Sequence, residues 1–156
     1  MSQEMSTVLI TGSNRGIGLE FVKQYSQSDC KVIATCRNPS KADDLNELAK
    51  TNSNINVLAA DITQEESINN LSAELNNEPI DILINNAAYL GPPDPQKFGD
   101  IDYEMFTRSF EVNAIGPIRI TERLIDNVRS SDTKKIIFLG SAAGSIAQIT
   151  PPVTLY

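Results

Sequence analysis

Apolar residues in this chain fall into five short runs, separated by stretches in which they recur every three or four positions. The runs are Val8–Thr11, Lys31–Cys36, Ile55–Ala59, Ile80–Ile84 and Lys135–Leu139. They are rich in β-branched residues and almost continuously hydrophobic, as strands covered on both faces must be. The stretches Ile17–Ser26, Lys41–Lys50, Glu65–Asn76 and Tyr103–Arg129 read as amphipathic helices. Within the last, Gly116-Pro117 predicts a bend, because proline removes an internal hydrogen bond. Thr63, with Glu66 three residues on, reads as a capping box for the third helix. Asn38-Pro39, Asn76-Asn77 and Gly91-Pro92-Pro93-Asp94-Pro95 mark loops. Strands alternating with crossover helices predict an α/β fold, a doubly wound, Rossmann-like parallel sheet with helices on both faces. No repeat or linker divides the chain, so residues 1–156 are expected to form one domain.

Composition narrows the function. A net charge of −7 argues against nucleic acid, whose phosphates are bound by basic surfaces. No apolar run approaches the ~18 residues of a membrane helix. The first residues carry neither the basic nor the apolar region of a secretory signal, so a cytoplasmic protein is expected. With 2 cysteines and no histidine, neither a disulfide framework nor a metal site is expected. The missing histidine also removes Ser-His nucleophilic chemistry, leaving acid–base work to Tyr, Lys or carboxylates.

The first strand runs straight into Thr11-Gly12-Ser13-Asn14-Arg15-Gly16-Ile17-Gly18. Glycines there let the backbone turn sharply and approach a phosphate, and the following helix offers unpaired N–H groups at its positive end. Taken alone, the motif also admits the lesser reading of an ordinary tight turn between strand and helix.

This stretch resembles the cofactor loop of the classical short-chain dehydrogenase/reductases, and further motifs agree along the whole chain. The carbonyl-reductase-like and C-factor-like branch is the nearest, judging from T-G-S-N-R-G-I-G-L-E and A-T-C-R-N-P. The resemblance implies a dinucleotide held by Gly12, Ser13, Asn14, Arg15, Gly16, Ile17 and Gly18. At the end of the second strand Cys36 stands where an NAD-preferring fold has an acid for the ribose 2′-OH, and Arg37 follows. Either Arg15 or Arg37 alone could be a solvated surface residue; together, at both family positions, they imply a 2′-phosphate and hence NADP(H). Asp61 and Ile62 are implied at the adenine. Asn86 and Ala87, in a near-match to the family's N-N-A-G, border the cofactor ribose, with Ala88 departing from the usual glycine.

The family pattern also implies catalytic residues. Asn113, in V-N-x-x-G-P, belongs to a proton relay through a water on its carbonyl; Ser141 orients the substrate; Tyr156 is the proton donor. A phenol has a pKa of about 10, and the family's Y-x-x-x-K lysine brings it toward working range. That lysine falls four residues past Tyr156, beyond the chain given, together with the last strands and helices of the family domain. The chain therefore matches about the first two-thirds of such a domain. The expected function is hydride transfer between NADPH and a small carbonyl or alcohol, in a parent that assembles as a dimer or tetramer. A chain ending here is expected to lack full activity; the alternatives are a non-catalytic dinucleotide-binding module or a defective fragment.

Overall fold

The computed structural model describes residues 5–91, 99–141, 145 and 147. Five strands, β1 (Ser6–Thr11), β2 (Cys30–Cys36), β3 (Ile55–Ala59), β4 (Ile82–Asn85) and β5 (Lys135–Phe138), form one sheet in the order β3-β2-β1-β4-β5. Every neighbouring pair is parallel, with Leu9 beside both Ile33 and Leu83 at its centre. The chain winds outward from β1 through β2 to β3, then returns to add β4 and β5 on the other side. The carboxyl ends of β1 and β4 therefore flank the point where the winding reverses, the place where such sheets open a crevice.

Although β1 is apolar throughout, its period of two still sorts its side chains. Val8 and Ile10 enter one core with Val22 of α1 (Gly16–Ser26) and Leu45 of α2 (Asp43–Thr51). Leu9 enters the other, with Leu71 of α3 (Glu65–Leu75) and with Ile120 and Leu124 of α5 (Gly116–Arg129). Each such side chain fully removed from water contributes about 1.5–3 kcal/mol. The chain thus has helices on both faces of a parallel sheet.

Three local expectations need correcting. Pro39 opens a short tight turn, Pro39–Lys41, and the second helix begins only at Asp43, so Lys41 leaves the helix. The capping box does not form: Thr63 donates its amide and hydroxyl to Asp61 Oδ1 (3.0 and 2.7 Å), and the α3 cap position is Gln64. The long helix does not simply bend at Gly116-Pro117. It runs as α4 (Tyr103–Phe110), a π-helical segment Glu111–Ile115, and α5. The irregularity falls just before the proline, where the Gly116 amide reaches back five residues to the Glu111 carbonyl. Pro117 has no N–H to return to the carbonyl four residues earlier, that of Asn113, so the distortion is centred on that residue.

Candidate functional site

A cleft of about 1220 Å³ opens at the carboxyl ends of β1, β2, β3 and β4. Its floor is shaped by glycines used for different reasons. Gly12 (φ +69°) turns back so tightly that a Cβ would lie 2.7 Å from the Ala87 Cα. Gly18 lies under the turn, where a Cβ would run into the Gly12 carbonyl and sit 2.5 Å from Asn86 Nδ2. The α1 terminus follows, with no side-chain cap from Arg15 and no acidic residue in its first turn, so its amides and dipole face the cleft.

Polar groups at the strand ends lock this floor. Asn86 Nδ2 donates to the carbonyls of Thr11 (2.8 Å) and Gly12 (3.1 Å), and the Thr11 hydroxyl accepts from the amides of Asn86 and Ala87, both at 3.0 Å. Asn85 turns to the other face, donating to Thr121 Oγ1. Ser13 is spent inside: fully buried, it donates its hydroxyl to the Ile10 carbonyl (2.8 Å) and its amide to Thr35 (2.9 Å). Its side chain does not line the cleft; it supports the turn from behind.

The cleft gathers Gly12, Asn14, Arg15, Gly16, Ile17 and Gly18 at the turn, Arg37 at the end of β2, Asp61 and Ile62 after β3, and Asn86 and Ala87 after β4. Arg15 and Arg37 are exposed, and the Pro39–Lys41 turn adds Lys41, also exposed. Among the described residues no carboxylate pairs with any of these three cations. Beside them Cys36 is buried; burial pushes its thiol up, against a weaker opposing hydrogen bond from the Asn38 backbone, so it is an uncharged wall. Lys41 is the residue that sequence reading missed, because its place in a helix hid it; Pro39 was the available signal.

The opposite wall comes from α4 and the π segment, including Arg108, Glu111 and Val112, and from Tyr89. The Arg108 guanidinium lies 4.5 Å over the Tyr89 ring. Asn113 is exposed and closes on the backbone of Tyr89, accepting its amide at 2.7 Å and donating to its carbonyl at 2.9 Å. Its side chain is thereby committed to fixing Tyr89. Ser141 is exposed just past β5, where the Leu139 amide donates to the Asn85 carbonyl (3.0 Å). Neither Asn113 nor Ser141 lines the cleft. Tyr156 lies outside the described residues.

Residues 6–153 match the family model for short chain dehydrogenase. The chain belongs to the short-chain dehydrogenase family. It is 35% identical over 150 residues to the short chain dehydrogenase gsfK of Penicillium aethiopicum, covering 91% of this chain and 59% of that protein. Among solved structures it is similar to an NADPH-bound carbonyl reductase from chicken fatty liver, with 28% identity, TM-score 0.82, and coverage of 93% of this chain and 63% of that one. It is likewise similar to a carbonyl reductase from Pseudomonas aeruginosa PAO1 in complex with NADP, with 28% identity, TM-score 0.84, and coverage of 96% and 67%. Both likenesses extend over nearly all of this chain. The chain spans about three-fifths of the length of the curated relatives it matches, 59% and 60% for the first two.

Proposed function

We propose that this short-chain dehydrogenase carries the cofactor-binding part of an NADP(H)-dependent carbonyl reductase. One observation supports this most directly: Arg15, Arg37 and Lys41 all line the cleft, with no carboxylate partner among the described residues, and the buried Cys36 lines it with them. A carboxylate at that strand end would favour a bare ribose 2′-OH; a guanidinium matches a 2′-phosphate in charge and geometry. The α1 N-terminus suits the pyrophosphate, because its unpaired amides and dipole are aimed there. Gly12 and Gly18 let the backbone come close, and Asp61 and Ile62 border the adenine. Asn86 holds the strand ends rigid beneath the ribose, with Ala87 alongside, while Asn14, Gly16 and Ile17 complete the turn. The bound dinucleotide supplies the hydride.

In this reading Ser141 orients a small carbonyl or alcohol, Tyr156 exchanges the proton, and Asn113 presents its backbone carbonyl to a water in the proton path. Ser141 follows the carboxyl end of β5, the end at which open α/β sheets hold their ligands. Tyr103, Phe106, Phe110 and Ile118, exposed along α4 and α5, support assembly of the parent protein through this helix.

The test is binding of NADPH against NADH to the chain and to Arg37→Asp, by fluorescence and calorimetry. The expected result is tighter NADPH binding, with at least about 1.5–3 kcal/mol of the preference lost in the variant, the value of hydrogen bonds to charged groups. Equal affinity for both dinucleotides in the unaltered chain would reject the 2′-phosphate assignment.

A further inference from the structure

Arg119 has no part in the family motifs, yet it joins two walls of the cleft. Its Nη1 donates at once to the Thr63 carbonyl (3.0 Å), in the loop between β3 and α3, and to Glu111 Oε1 (2.9 Å), at the head of the π segment. Arg119 and Glu111 are half-buried, 33% and 34% exposed. The approach is prepared one turn earlier, at Gly116. A Cβ there would lie 2.8 Å from Ile62 Cδ1 and 3.2 Å from the Ile62 carbonyl, so any larger residue would have to push the Ile62 side chain and the loop back from α5. Thr63 and Glu111 both line the cleft, as does Tyr89, whose backbone is gripped by Asn113 two residues beyond Glu111.

We infer that Arg119 is a positioning residue, a strut that sets the Asn113-bearing π segment against the loop at the Asp61–Thr63 end of the cleft. The π segment interrupts the regular ladder of the long helix, as single-turn π-bulges at functional sites do. Arg119 holds it through Glu111 at the front, and Asn113 holds it to Tyr89 at the back. Occupancy of the loop by ligand is thereby transmitted to the Asn113–Tyr89 contact. The ligand assignment rests on the proposed NADP(H) function; the strut itself does not.

Amide hydrogen exchange in the full chain separates the two. Without ligand, Arg119→Met is expected to speed exchange of the Tyr89 amide by about three- to tenfold, the worth of roughly one hydrogen bond, with core amides of β1 unchanged. Arg119→Lys, with one compact ammonium in place of the guanidinium fork, is expected to recover part of that protection. NADPH is expected to slow Tyr89 exchange in the unaltered chain and to have little effect on it in Arg119→Met. If Arg119→Met does not fold, Glu111→Ala removes one of the two acceptors and is expected to give the same acceleration. Unchanged Tyr89 exchange in a folded variant overturns the strut. Should the unaltered chain bind no NADPH, the cofactor reading falls, and the ligand-free exchange rates still decide the role of Arg119.

Discussion

β1 and β5 are written in nearly the same alphabet and live in opposite surroundings. Val8, Leu9 and Ile10 are wholly buried, paired on both edges and roofed by helices on both faces. In β5, Ile137 and Phe138 are 36% and 55% exposed, only Ile136 packs against a core cluster, and pairing among the described residues is with β4 alone. An apolar β-branched run therefore dictates an extended backbone, while its neighbours decide how much free energy that run returns. The same contrast divides the site. The turn after β1 rests on packed glycines and on Asn86, whereas Ser141 follows a strand with one covered edge.

The contrast is sharpest in paired truncations. Leu9→Ala is expected to cost about 2–5 kcal/mol and Ile137→Ala less than about 1 kcal/mol, since only the first leaves an enclosed cavity. Urea unfolding of both variants checks this, and equal losses would mean that β5 is covered in solution. Asn86→Ala tests the seam between the two halves. It removes two hydrogen bonds that hold β4 to the end of β1 and uncovers the Thr11 and Gly12 carbonyls, at an expected cost of about 2–3 kcal/mol. Dinucleotide binding should weaken more than stability alone explains; a stability loss with unchanged affinity would show that the floor of the cleft does not depend on Asn86.

The smallest expected effect lies at the opposite ends of the strands. Asp81 accepts from the amides of Thr7, in β1, at 2.9 Å and of Thr133, just before β5, at 3.1 Å. Burial pushes its carboxyl up, but these hydrogen bonds together outweigh that and hold it below the ordinary 3.8. A depressed carboxyl stabilises the fold above its unfolded pKa, and that contribution is lost as pH falls through the folded pKa. Asp81→Asn should therefore be less stable than the unaltered chain at neutral pH, with the gap narrowing below about pH 4. Melting curves between pH 7 and pH 2.5 would show it; a gap independent of pH would mean that the charge of Asp81 contributes nothing.

Much of this was legible along the chain because its causes are local. The strand runs Val8–Thr11 and Ile55–Ala59, and the spacing of Gly12, Gly16 and Gly18, each report a backbone requirement of their own neighbourhood. Where the reading slipped, a competing local group won. Pro39 held Lys41 in a turn, and Asp61 took Thr63 away from the helix cap. Arg119 stayed hidden for a different reason. It is a single charged residue whose partners, the Thr63 carbonyl and Glu111, lie on other elements, and no spacing along the chain records that.

By itself the sequence determined the alternation of strand and helix, the glycine turn and the family, since each depends on periodicity or on residues within a few positions of one another. Only the tertiary structure decided which face of β1 each side chain enters and that Gly18 must pass beneath Gly12 and Asn86. It also decided that three cations line one cleft and that Arg119 bridges Thr63 to Glu111. Such facts join residues tens of positions apart, and they come into being only when burial of the apolar faces brings β1, β4 and α5 together.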